Sequence, residues 1–227
     1  MARTRFDKLP SRSSYAAEVY RVLLDAISDG SLAPGARLTQ EEIAEQFEVS
    51  RMPVLQALQL LKKDGFVREA PGRGLLVAPL DVEWIGKLYE VRGALDALAA
   101  RLAAERRSVV DAALIARGRR ASAGSSVKAM IEADMNFHLA IYRASDNPLI
   151  EESARLHWAH LRRAMGAVLQ SSGQQRKAIW DEHEAIADAI ARGDARLAAK
   201  LTDVHTTHAR ENVVSRLGEI LGRAASA

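Results

Sequence analysis

The stretch Thr39-Gln40-Glu41-Glu42-Ile43-Ala44-Glu45-Gln46-Phe47-Glu48-Val49-Ser50-Arg51-Met52-Pro53-Val54-Leu55-Gln56-Ala57-Leu58 decides the fold of the N-terminal third. Thr39 followed three residues on by Glu42 is a capping box, opening a short helix that buries Ile43, Ala44 and Phe47. Ser50 caps the next helix, which tolerates Pro53 in its first turn and carries Val54, Ala57, Leu58 and Leu61 inward. Upstream, Val19, Val22, Leu23, Ala26 and Ile27 repeat at helical spacing and give a first helix with one buried face, ended by Gly30. Downstream, Gly65 closes the third helix, and Phe66 to Glu69 and Leu75 to Ala78 are strand-like runs on either side of Pro71-Gly72-Arg73-Gly74, a hairpin. Three helices plus a β-hairpin make a winged helix-turn-helix over residues 14–78.

Residues 79–82 read as a linker, and beyond it no strand signal occurs. Breaks at Ser108, Gly124-Ser125, Asn147-Pro148, Ser171-Ser172-Gly173 and Gly193-Asp194 divide residues 83–222 into about six helices. Ala- and Leu-rich faces, such as Leu88, Val91, Leu95, Leu98 and Leu102, predict an all-α antiparallel bundle, so the fold class is mainly α. A chain of 227 residues with 48% hydrophobic and 27% charged content is long enough for two globular domains, each with its own core. The absence of cysteine excludes disulfides and thiolate zinc sites, so any metal must use histidine and carboxylates. No apolar run of about 18 residues and no signal peptide occur, which predicts a cytoplasmic protein with no membrane role.

A net charge of +3 argues little, but Arg3, Arg5, Lys8 and Arg12 against Asp7 alone make residues 1–13 a basic arm able to lie along phosphates. A solvated tail is the equally plain reading. The second helix of a helix-turn-helix enters the major groove with its N-terminal end at the bases, which places Ser50, Arg51 and Met52 there. Arg51 can bond a guanine edge bidentately or clamp a phosphate. Arg73, between two glycines at the hairpin tip, is placed for the minor groove or a flanking phosphate, and Arg37 for phosphate. Any one of these arginines alone reads as solvated surface charge; together, around one fold, they read as an interface to double-stranded DNA.

The run Leu32-Ala-Pro-Gly-Ala-Arg-Leu38, with Ile43-Ala44, Val49-Ser50-Arg51-Met52-Pro53-Val54, Ala57-Leu58, Leu61, Gly65-Phe66-Val67 and Gly72-Arg-Gly74, resembles the DNA-binding domain of the GntR family of bacterial regulators over residues 14 to 78. Two positions depart from the family pattern on the DNA-facing surface. Leu55 stands where an arginine is usual and Glu41 where a basic or polar residue is usual, which predicts altered operator recognition or a shallower salt dependence.

All six histidines fall in the C-terminal half. Asp134 and His138, at i and i+4, share a helical face and can bind the same ion; with His183 and His205 they form a candidate set of one carboxylate and three imidazoles. Such a set suits Zn2+, Ni2+ or Mn2+ with positions left open, although a lone histidine is more often a core or surface residue. The segments Asp134-Met-Asn-Phe137-His138, Asn147-Pro148, Glu182-His183, Ile186, Ala189-Ile190, Gly193-Asp194 and His205 resemble the FCD effector-binding domain of FadR-like GntR regulators over residues 82 to 220. The resemblance implies that Asp134, His138, His183 and His205 hold a divalent metal, with His208 in reserve, and six helices point toward the VanR-like branch. It also implies that Arg92, matching the family's first-helix arginine, anchors a small organic acid effector; the bland alternative is a surface ion pair with Glu90 or Asp96. Trp84, Trp158 and Trp180 read as core residues, and His157 and His160 as flanking a helix surface.

The expected protein is a homodimeric, ligand-responsive regulator, a repressor rather than an activator, that binds a palindromic operator. A regulator for which the metal itself is the signal is the alternative. A metallohydrolase is the remoter one, because no His-Glu-x-x-His motif accompanies the histidines.

Overall fold

In the computed structural model, which describes residues 13–170 and 176–225, one compact unit runs to Pro79 and a second begins at Leu80. The basic arm at Arg3, Arg5, Lys8 and Arg12 and the expected break at Ser171-Ser172-Gly173 lie outside the described residues.

In the first unit α1 (Ser13–Ser28) turns Ala16, Val19, Leu23 and Ile27 inward. The capping box opens α2 (Gln40–Gln46): Thr39 Oγ1 accepts from the Glu42 amide at 3.3 Å. Its hydroxyl donates to the Glu42 carboxylate at 2.6 Å, so the box closes between the two side chains. Ser50 occupies the cap position of α3 (Arg51–Lys63), but its side chain makes no capping bond. The start of α3 is held instead by Gln40, whose amide donates to the Arg51 carbonyl at 2.6 Å. Val54, Ala57, Leu58 and Leu61 are buried as expected, while Phe47 is half-buried.

The expected hairpin is β2 (Val67–Glu69) and β3 (Leu75–Val77), and a third strand, β1 (Arg37–Leu38), pairs antiparallel with β3 on its other edge. Two residues are too few for an alternating pattern, so β1 leaves no trace in the sequence. Gly74 closes the wing at φ +91°, and a Cβ there would lie 2.8 Å from the Leu38 carbonyl oxygen. Only glycine gives both that conformation and that approach.

The second unit has six helices among the described residues: α4 (Val82–Glu105), α5 (Ala112–Ala123), α6 (Val127–Ala144), α7 (Pro148–Gln170), α8 (Arg176–Arg192) and α9 (Ala195–Ala225). α4 and α9 run antiparallel in close contact. A Cβ on Gly93 would meet Thr206 Oγ1 at 3.1 Å, and one on Gly86 would meet Val214 at 3.7 Å. The leucine stripe expected to seat α4 packs in part: Leu88 is buried and Leu95, Leu98 and Leu102 are half-buried against the core, while Val91 is exposed. The helix is rotated so that Ile85, Tyr89, Arg92, Asp96, Ala99 and Ala103 face inward. A buried charged pair replaces leucine in the middle of that face because Arg92 and Asp96 neutralise each other. His160, expected at a helix surface, is buried edge-on against Trp84, ring centroids 4.4 Å apart; its apolar ring body fills space that a surface position would leave in water.

Candidate metal centre and nucleic-acid interface

Three helices deliver the four candidate ligands of the second unit. The i, i+4 spacing on α6 brings Asp134 and His138 to one face; α8 adds His183 and α9 adds His205. All four are buried, and one donor atom from each lies within 4.8 Å of the others. His183 Nε2 is 3.1 Å from His205 Nε2 and 3.5 Å from Asp134 Oδ1, and His138 Nε2 is 4.0 Å from the same oxygen. An ion with bonds of about 2.1 Å needs its donors within roughly 4.2 Å of one another, so small side-chain rotations close the set.

The electrostatics suit a cation. Burial first, and then the nearby Arg92 guanidinium and histidines, hold His138 and His183 well below the usual imidazole range, leaving their lone pairs available near neutral pH. Burial pushes the Asp134 carboxyl up, against the opposing pull of Arg92, so its charged form lacks sufficient positive charge nearby. His205 Nδ1 sits 2.7 Å from a carboxylate oxygen of Glu182; as donor in that bond it turns an Nε2 lone pair toward His183. Two facing ring nitrogens and a desolvated carboxylate fit a divalent ion better than the protein groups alone.

Arg92 lies in this centre, not in a surface ion pair. Its Nε donates to Asp96 Oδ2 at 3.0 Å, and its guanidinium lies 4.1 Å from the Trp158 ring centroid. Glu90, the other partner weighed, pairs instead with Arg210 at 2.8 Å. Arg92 Nη2 is 2.8 Å from His138 Nε2 and donates to it. His138 can give that lone pair to Arg92 or to a cation, not to both.

The roles of the neighbours that hold these groups were missed in the sequence. Asp96 accepts from the Tyr142 hydroxyl as well as from Arg92 and faces His138 Nδ1 at 3.4 Å. Glu182 accepts from His205 and, through its other oxygen, from His208 at 2.8 Å. His208, the reserve ligand, is exposed and bonds Glu182 rather than joining the four buried groups. Trp158 and Trp180 pack the core as expected, but Trp158 also floors Arg92 and Trp180 stands edge-on to His183. Two of these neighbours carried a sequence signal: Asp96, one turn from Arg92 and already a candidate partner for it, and Glu182, adjacent to a candidate ligand and able to orient a ring.

In the first unit Ser50, Arg51 and Met52 are exposed at the start of α3, and Arg73 is exposed at the wing tip. Arg37 is exposed and donates to the Pro71 carbonyl at 2.7 Å, strapping the wing to β1. Arg51 Nη1 is paired with Glu41 at 3.1 Å, so one of the two departures from the family pattern acts directly on the arginine expected at the bases.

Comparison with known proteins gives matches to two family models: the FCD domain at residues 87–208, and bacterial regulatory proteins of the gntR family at residues 15–77. The chain is 29% identical over 219 residues to the HTH-type transcriptional regulator LutR of Bacillus subtilis (strain 168), covering 83% of this chain and 96% of the relative. Among solved structures it is similar to a transcriptional regulator GntR from Rhodococcus sp. RHA1, with TM-score 0.73 and 26% identity over 89% of this chain and 98% of that one. It also shares the fold of E. coli McbR/YncC, with TM-score 0.77 and 22% identity over 90% and 99% of the two chains. The matched family and these relatives are transcriptional regulators, not enzymes.

Proposed function

The chain belongs to the GntR family of bacterial regulatory proteins, with an FCD domain behind its DNA-binding head, and from that premise we propose that it is a dimeric repressor whose helical domain senses a small carboxylate at a divalent metal site. The observation that carries the reading is the buried Asp134, His138, His183 and His205 cluster with the Arg92 guanidinium against it. Three imidazoles and one carboxylate suit Zn2+, Ni2+ or Mn2+ and leave coordination positions for a ligand oxygen. Bound there, the ion supplies a fixed positive charge; Arg92, relieved of His138, offers parallel N–H donors to a carboxylate. Glu182 fixes the ring of His205, and Asp96 with Tyr142 fixes Arg92. At the operator, Ser50, Arg51 and Met52 would face base edges while Arg37 and Arg73 serve the flanking phosphates.

A thermal-shift screen of small carboxylic acids against metal-loaded and chelator-stripped protein tests this, because a ligand that binds only the native state raises its melting temperature. A rise that requires both acid and metal is expected, and its loss in His138→Ala together with lowered metal content. A second reading has one specific observation in its favour. The Arg92 to His138 bond must break when a cation takes the imidazole, so metal binding alone rearranges the centre. In that reading operator affinity follows metal concentration with no acid present.

A further inference from the structure

A cavity of about 530 Å³ opens from the metal cluster. Arg92, Asp134, His205 and Glu182 form its polar end. Its long wall is apolar: Tyr89 from α4, Met165, Val168 and Leu169 from α7, Ile179 from α8 and Val213 from α9. Asn212 and Arg216, further along α9, stand at the other end. Ile179 is 38% exposed, a large aliphatic side chain left uncovered where it borders this space. The volume lies within the range of pockets that enclose drug-sized molecules. A two- or three-carbon acid bonded at the cluster would leave most of it to water, and water along an apolar wall lacks hydrogen-bond partners.

We propose that the effector is an amphipathic carboxylate: a carboxylate head held at Arg92 and the metal cluster, and an apolar body of about six to ten carbons lying along Val168, Leu169, Ile179 and Val213. This rests on the carboxylate-sensing reading and narrows it. The head is specified by charge: among the described residues Arg92 is the cationic group buried at the polar end, and the cluster would add the charge of its ion. The body is specified by burial: each methylene taken out of water against these walls adds about four-fold in affinity.

Calorimetric titration of the metal-loaded full-length protein with unbranched monocarboxylates from acetate to decanoate tests the proposal, with octan-1-ol as a head-group control. Affinity should climb by about four-fold per methylene to a plateau near eight carbons, at one acid per chain, and octan-1-ol should bind at least a hundred-fold more weakly than octanoate. In Ile179→Asp, a change at a half-exposed position, the advantage of octanoate over acetate should shrink at least ten-fold. Acids that bind with no dependence on length overturn the amphipathic effector and leave carboxylate sensing standing. Octan-1-ol equalling octanoate, or an octanoate advantage untouched in Ile179→Asp, overturns it as unspecific apolar binding. Metal binding with no response to any acid removes the carboxylate reading and the proposal together.

Discussion

At the scale of single residues, the proposed DNA contact turns on the pair Glu41 and Arg51. Both side chains are more than half exposed, so the ion pair contributes at most about 1 kcal/mol to stability. If Arg51 contacts DNA as proposed, the effect falls on binding: Arg51 must leave Glu41 to reach a phosphate or a base, and a carboxylate at that place repels the backbone. Glu41→Gln should leave the unfolding midpoint in urea nearly unchanged. In the same variant the slope of log affinity against log salt should steepen by about 0.9, the release expected for one added phosphate contact. In an Arg51→Ala background the same change should do much less, which a double-mutant cycle reads directly. Equal slopes in all four proteins would mean that the two residues act independently. This pairing was half legible. The sequence marks Glu41 as unusual and Arg51 as the reading arginine, but they lie 10 residues apart on different helices, and the spacing rules that pair side chains reach only within one helix.

Among the elements, the same limit explains what could and could not be read in the helical unit. The i, i+4 pair Asp134 and His138 is a local fact, visible in the sequence, and so are the helix count and the buried faces of α1 and α3. The bond from Arg92 to His138 spans 46 residues and the bridge from Glu182 to His205 spans 23, so neither exists until helices pack. Packing also widens the buried face of α4: Leu88, Leu95, Leu98 and Leu102 pack as the stripe suggested, and the charge-neutralised Arg92 and Asp96 turn inward beside them. The contact between α5 and α8 gives a test of how tightly packing governs the centre. A Cβ on Gly118 would lie 1.9 Å from the Trp180 ring, whose Nε1 donates to Ser122 Oγ at 2.8 Å and which stands edge-on to His183, centroids 4.6 Å apart. Gly118→Ala must displace that ring. It should cost about 3 kcal/mol in urea unfolding, the upper end for overpacking, and weaken metal binding measured by competition with a chromophoric chelator. A change in stability without any change in metal affinity would show that Trp180 does not hold His183 in place.

For the whole molecule, the proposed function depends on joining a reading head to a sensing core, and each unit taken alone would have one part of it. The first unit presents one recognition helix of 13 residues and one wing, too little surface for tight operator binding on its own. Two-fold pairing doubles those contacts and matches a palindrome, which is why a regulator of this design should act as a dimer. Its other requirement is that a ligand shift the arrangement, and it can do so only by as much as its affinities for the two arrangements differ. The stoichiometry is open to direct measurement. Light scattering on the eluting protein should give a mass of twice 24.8 kDa, and titration of a palindromic duplex should saturate at two chains per site. Cutting the duplex to one half-site should reduce affinity far more than two-fold, since half of the base and phosphate contacts go with it. A 24.8 kDa species that saturates the half-site and the full palindrome with equal affinity would sink the dimeric reading. In that case each head would have to reach its affinity alone, and the extra charge would have to come from outside the described residues, where Arg3, Arg5, Lys8 and Arg12 lie.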